Sequence, residues 1–527
     1  MKKKQILFLI LFNIILSIGF YIDNLGAFYT DVSSDSANII PVCLKIDNPE
    51  LYKGDLYLDQ ISNVEYYTPF FVESLRFCAN FTDGNYLQAQ NILGVFIHFI
   101  HGILWFLLFY NIKKDYWIAL LMMLITKGVI WPPGGELMGV TELWTIMPRT
   151  FYTALLPLPF LLYKNLSKFN LIFSAFALGF ILNFHPLSGI GGIVMYLSAY
   201  LGYLYFEKKI DRSFLKNLFL IGIFCLIGMF PYLYVYLTKV KTDIIIDKEL
   251  FELAFNKRIP SIFSNPIDFI KQWNRPILYF YLLSFILFYF LDNSKSKKIF
   301  KILLFTSICI FLSANLSVYI EQITNYLFDK SIRMSFQLIR YQKFILVIFQ
   351  ISLFLLFTNL FTKFRFNDSR KFIIFISFYI VLMFADVAPL NKIPFIGDDI
   401  CSTTIPNSLK FRTKEIPQEK IDFNQMLDYI QTNTNQNDIF YGSFYIRYAC
   451  KRPVIMDGKG ASMIIEGNPH KLIEWYMDTE HLNKLTPKDK INFLRSKNVS
   501  YILSTDDKWD FLESPIKTIG NSKLYKI

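Results

Sequence analysis

Charge is scarce in this sequence. Only 18% of its 527 residues are Asp, Glu, Lys or Arg, against about 25% in an average soluble domain. Histidine is rarer still, with five residues, and the six cysteines (Cys43, Cys78, Cys225, Cys309, Cys401 and Cys450) contain no C-x-x-C pair. That excludes the usual structural zinc and dithiol redox motifs. Gly134-Gly135, after Trp131-Pro132-Pro133, has no G-x-G-x-x-G context, so a nucleotide-binding loop is rejected. Neither an internal repeat nor a low-complexity tract is present. No A-x-A-like cleavage site follows the apolar run from Ile6 to Tyr21 behind Lys2-Lys3-Lys4, which therefore reads as an uncleaved first helix.

Apolar residues are what the chain has in excess. They make up 53% of it, with 55 Phe, and the mean hydropathy is +0.35. They are unevenly placed. Long apolar runs fill residues 1–390, near 6–21, 89–110, 116–131, 150–163, 169–184, 187–206, 214–237, 277–291, 299–319, 344–362 and 372–389, and residues 391–527 have none. The expected fold is an α-helical polytopic membrane protein of about eleven transmembrane helices with a small C-terminal α/β soluble domain. Cys225 and Cys309 lie in apolar runs as packing residues. A pairing of Cys43 with Cys78, or of Cys401 with Cys450, is left open.

The net charge of +12 would point to nucleic acid in a soluble protein. Here the basic residues cluster in short links between apolar runs, so membrane lipids are the expected partner and nucleic acid is not. With Lys2 to Lys4 inside, alternation puts on the same side Lys113-Lys114, Lys164 with Lys168, Lys208-Lys209 with Arg212, Lys295 with Lys297-Lys298, and Lys363, Arg365 and Arg370-Lys371. That is the positive-inside pattern. The first long loop, 23–87, then lies outside, and it carries ten acids against Lys45, Lys53 and Arg76. An odd number of spans places the C-terminal domain outside as well. In that domain, residues 390–420 read as a linker, 422–432 and 487–496 as helices, and 438–445 and 499–503 as strands.

Two carboxylates stand four residues apart just beyond the first apolar run, Asp31 and Asp35 in Tyr29-Thr30-Asp31-Val32-Ser33-Ser34-Asp35-Ser36-Ala37-Asn38. Asp35 or Ser34 could instead cap a helix continuing through Ile39 and Ile40. The layout resembles the GT-C superfamily of membrane glycosyltransferases, with many spans, a catalytic Asp in the first outer loop and often a soluble C-terminal domain. The stretches Asn48–Tyr57, Tyr429–Thr434 with Asp438–Phe440, and Arg452–Lys459 look like phrases of uncharacterised bacterial members. The adjacent Asp-Glu pair of several such families is Asp35-Ser36 here, which leaves a divalent metal open.

The resemblance implies a polyprenyl-phosphate sugar donor and a glycan, lipid or protein acceptor on the outer side of the cytoplasmic membrane. Phosphate leaves without a strong general acid, so one ionised carboxylate suffices to take the acceptor proton as the anomeric centre inverts. Asp35 is the expected base, with Asp31 as its partner or alternative. Three residues are expected to bind the donor phosphate. His185 precedes Pro186 at a helix start, where free N–H groups receive an anion, or it simply caps that helix. Arg149 and Arg340 sit at outer span ends, offering bidentate forks to phosphate or serving as interfacial anchors. Lys127 is a weaker intramembrane candidate. A transporter or flippase, or a GT-C-like scaffold without activity, are the rival readings, although the inverted repeats of a transporter are not evident.

Overall fold

The computed structural model describes residues 1–127, 146–162, 167–210, 213–239, 247–272, 276–292, 297–384, 409, 416–512 and 514–527. The Trp131–Glu136 stretch, Lys164, Arg212, Lys295, Cys401 and nearly all of the 390–420 linker lie outside them. The chain divides into two compact units. Met1–Leu25, Asn91–Tyr232 and Ser261–Lys414 form one, and Gly26–Gln90, Leu233–Pro260 and Glu415–Ile527 form the other.

The first unit is helical, and its class is that of a membrane protein. Among the described residues, six helical stretches are long and apolar enough to cross a membrane: Lys3–Asp23, Tyr86–Ile112, Pro186–Phe206, Phe214–Lys239, Lys298–Phe328 and Ser335–Lys363. The expectation of eleven spans is therefore not met. The 116–131 run yields the helix Tyr116–Lys127, and 169–184 and 372–389 yield Lys168–Leu182 and Asp368–Met383. The 150–163 run breaks into Pro148–Leu155 and Leu158–Leu162 around Pro157. The longest of these has 16 residues, a rise of about 24 Å against a hydrocarbon core of about 30 Å. The odd span count that put the C-terminal region outside thus loses its basis.

Small residues and one inserted amide set the helix crossings. A Cβ on Gly179 would sit 2.0 Å from Cys225 O, and one on Gly228 would sit 2.3 Å from Phe176 O, so two helix backbones touch there with no room for a side chain. Pro231 interrupts the second of these helices. Asn183 fits into that break: its Nδ2 donates to Gly228 O at 2.9 Å and its Oδ1 accepts from Tyr232 N at 3.0 Å. The side chain thus bridges an acceptor and a donor of the turn that holds Pro231, which has no N–H of its own.

The second unit joins the first loop, the segment 233–260 and the C-terminal region. Its sheet has five strands, β1 (Ile439–Tyr441), β2 (Val454–Ile455), β3 (Val499–Ser504), β4 (Lys517–Ile519) and β5 (Ser522–Lys526), in the order β2-β1-β3-β5-β4. β1 runs parallel to β2 and β3, and β5 antiparallel to β3 and β4. Between β2 and β3 the chain crosses over through helices Pro469–Lys484 and Pro487–Ser496, as a parallel pair requires. The expected helices at 422–432 and 487–496 lie within Gln418–Asn433 and Pro487–Ser496. The expected 438–445 strand is shorter, because Ile446–Cys450 forms a π-helical turn. Cys43 and Cys78 are free thiols and do not pair.

Candidate functional site

Asp35 sits in the first turn of the helix Ser34–Asp47, whose cap is Ser33: its Oγ accepts from Ser36 N at 3.1 Å. Neither Ser34 nor Asp35 is the cap, contrary to the sequence reading, so the Asp35 carboxylate is not spent on helix initiation. Lys459 Nζ donates to Asp35 Oδ1 at 2.6 Å. A helix N-terminus and an ammonium both favour the ionised form of a carboxylate. Asp31 is engaged otherwise. It ion-pairs with Lys420, and its Oδ2 accepts from Phe28 N at 2.8 Å, closing the turn Tyr29–Asp31.

Lys459 is held in place from the protein interior. It lies on the short helix Gly458–Ala461, capped by Asp457, whose Oδ1 accepts from Gly460 N. Asn38 Nδ2 donates to Lys459 O at 3.1 Å, tying this helix to the one that carries Asp35. Behind them Arg447, with no solvent exposure, bridges two carboxylates: Nε to Asp55 Oδ2 and Nη2 to Asp457 Oδ2, both at 2.7 Å. Asp55 also accepts from Tyr57 N, Leu58 N and Val454 N. Tyr57 donates its hydroxyl to Asp457 O at 2.6 Å. Two carboxylates outweigh burial in keeping Arg447 charged.

Arg258 ends the helix Lys248–Arg258 and lies within electrostatic reach of Asp457, Tyr57, Tyr67 and Asp35. Burial works against its charged form. Nearby in sequence to Lys459, Glu466 is pushed above the usual carboxylate range by burial, against a hydrogen bond from Tyr236. A carboxyl so raised contributes stability below its unfolded value, and that contribution is lost as the pH climbs through its folded value. Glu466→Gln is therefore expected to flatten the alkaline side of the stability–pH curve, measured by thermal unfolding from pH 4 to 8. An unchanged slope would overturn this. A cleft of about 490 Å³ in the same unit is lined by Asp47, Glu73, Arg76, Phe77 and Asp83. Its acids are partly claimed, since Arg76 pairs with Asp47 and Glu73, and Tyr86 donates to Asp47.

The other expected site residues belong to the first unit. His185 is the N-cap of Pro186–Phe206, its Nδ1 accepting from Ser188 N at 3.2 Å, so the capping alternative describes its ring. His185→Ala should cost about 1 kcal/mol of stability while His185→Asn retains most of it. Equal melting temperatures for both variants and the parent protein in detergent would refute the cap. Arg149 begins the helix Pro148–Leu155, and Arg340 stacks on Phe263 at 4.0 Å while its Nη1 donates to Gln337 Oε1 at 3.0 Å. Lys343, which sequence reasoning passed over, is buried, and the structure brings it within electrostatic reach of both arginines in that unit. Lys127 is fully buried, with Nζ donating to His98 O at 2.8 Å.

A divalent metal fits these residues poorly. Among the described residues no group of three or more His, Cys, Asp or Glu could hold one, and Asp31 and Asp35 are each neutralised by a lysine. No family profile and no curated protein matches the chain. What sequence reasoning missed are Lys459, Arg447 and Arg258. A signal for two of the network's segments existed, since the stretches Asn48–Tyr57 and Arg452–Lys459 contain Asp55, Tyr57, Asp457 and Lys459.

Proposed function

We propose that the chain is a GT-C-type membrane glycosyltransferase. It transfers a sugar, with inversion, from a polyprenyl-phosphate donor to a glycan, lipid or protein acceptor on the outer face of the cytoplasmic membrane. The observation that carries this reading is Asp35: a carboxylate at the start of a helix, beyond the first apolar helix, ion-paired with Lys459 and not used as a cap. Such a group suits a general base that is ionised at neutral pH. The acceptor oxygen attacks the anomeric carbon, the bond from that carbon to the phosphate oxygen breaks, and its electron pair leaves on the phosphate. The acceptor proton passes to Asp35 and then to water. Arg149 and Arg340, each within electrostatic reach of the buried Lys343, suit anionic headgroups, and the acidic first loop and basic links favour the assigned orientation.

The test is release of free polyprenyl phosphate. Purified protein in nanodiscs receives a polyprenyl-phosphate donor with a radiolabelled sugar and an extract of cell-envelope acceptors. Label should move to an acceptor with stoichiometric release of the lipid phosphate. Translocation of the intact donor across a vesicle bilayer without cleavage would favour a flippase and sink the transferase reading.

A further inference from the structure

Arg258 has more donors than partners. A guanidinium offers five N–H groups, yet among the described residues Arg258 forms no ion pair, and its Nε is buried without a hydrogen-bond partner. Its sequence neighbour Lys257 is exposed and pairs with Glu480 at 2.8 Å. The carboxylates around Arg258 are already claimed. Asp457 Oδ1 accepts from Gly460 N and its Oδ2 from Arg447, and Asp35 Oδ1 accepts from Lys459. The Tyr57 hydroxyl donates to Asp457 O. A desolvated donor left unmade is costly, and a rigid bidentate fork matches an anionic oxygen group better than a point charge does.

We propose that Arg258 is a substrate-binding residue that holds an anionic oxygen group of the substrate beside Asp35. Identifying that group as the donor phosphate rests on the transferase reading. A carboxylate on an acidic sugar offers the same chemistry. Arg258 lies on the segment 233–260, which carries none of the residues expected from sequence to bind phosphate. The two cations of the site thus have separate roles, Lys459 holding the base and Arg258 awaiting the ligand.

The experiment uses the full chain in nanodiscs and measures binding of sugar-free decaprenyl phosphate, of neutral decaprenol and, separately, of glucuronate. The parent protein should prefer decaprenyl phosphate to decaprenol by at least about 10-fold. Arg258→Gln should erase that preference, Arg258→Lys should retain part of it, and the melting temperature should stay close to the parent's, because no ion pair among the described residues is broken. If Arg258→Gln instead loses glucuronate binding and keeps the phosphate preference, the anionic group is a sugar carboxylate, and Arg258 remains its ligand. Undiminished binding of both anions by the Gln variant overturns the proposal, as does a parent protein that binds neither. Should the Gln variant not fold, the Lys variant decides by the same two affinities. Arg258-dependent binding without any sugar transfer would defeat the transferase reading and leave the anion site standing.

Discussion

Asp35→Asn is expected to reduce sugar transfer by about 10²-fold or more while leaving expression and donor binding close to those of the parent. Asn keeps the size and the hydrogen-bonding edge of the side chain but cannot take a proton at neutral pH. The helix it starts should survive, because Ser33 supplies the cap. Lys459 loses a charged partner, but the pair is part-exposed, with 24% and 19% of the two side chains accessible, so screening by water keeps the structural loss small. Chemistry and folding therefore separate in this variant. Asp31→Asn is the control. Asp31 is tied to Lys420 and to Phe28 N in a turn of its own, so its loss should leave transfer within about threefold of the parent. The measurement is single-turnover transfer from a labelled polyprenyl-phosphate donor, with donor affinity and melting temperature taken on the same samples. Near-parental transfer by Asp35→Asn would remove the base assignment, and a larger loss in Asp31→Asn than in Asp35→Asn would move that assignment to Asp31.

Position along the chain made Asp35 legible in the sequence. A carboxylate following an apolar first helix is visible without any knowledge of packing, and so are the C-terminal helices, whose 3.6-residue periodicity runs through Met426, Leu427 and Ile430, all buried. The strand Val499–Ser504 was readable from its β-branched and aromatic run. Span count was not, because hydropathy sums composition and does not see a break such as the one at Pro157. Partners distant in sequence were also hidden. Lys459 lies 424 residues from Asp35, and Arg447 lies 392 from Asp55, and no periodicity links an ion pair across such separations. Lys343 escaped notice at the edge of an apolar run, where a single cation reads as an interfacial anchor. Arg258 sits in an unremarkable helix end, where a basic residue is also the ordinary complement to the helix dipole. That its Nε is buried without a partner is visible only in the structure.

Arg447→Met is expected to destabilise the unit formed by the first loop and the C-terminal region by about 3–5 kcal/mol, because it removes one partner of a fully buried ionic network and strands the other two. Asp55 and Asp457 would then face each other's field with no cation between them, in an interior where Arg447, Asp55 and Asp457 are almost wholly out of water. The backbone bonds to Asp55 from Tyr57, Leu58 and Val454 soften that loss without replacing the charge. Arg447→Lys should recover only part of it, since an ammonium is a point charge and the guanidinium reaches Asp55 through Nε and Asp457 through Nη2 at once. The triple variant Arg447→Met, Asp55→Asn, Asp457→Asn should be less damaging than Arg447→Met alone, since each Asn drops the charge and keeps an acceptor oxygen for the backbone donors. A buried pair removed whole leaves no orphaned charge, and non-additivity of that kind identifies a network. Thermal unfolding in detergent and limited proteolysis of the region around Gly458–Ala461 give the stabilities. Transfer should fall as well, because Asp457 caps the helix that presents Lys459 to Asp35. Loss of transfer in the Arg447→Met variant at unchanged melting temperature would refute the stability claim. Full transfer at a lowered melting temperature would show that Lys459 keeps its place without the network beneath it.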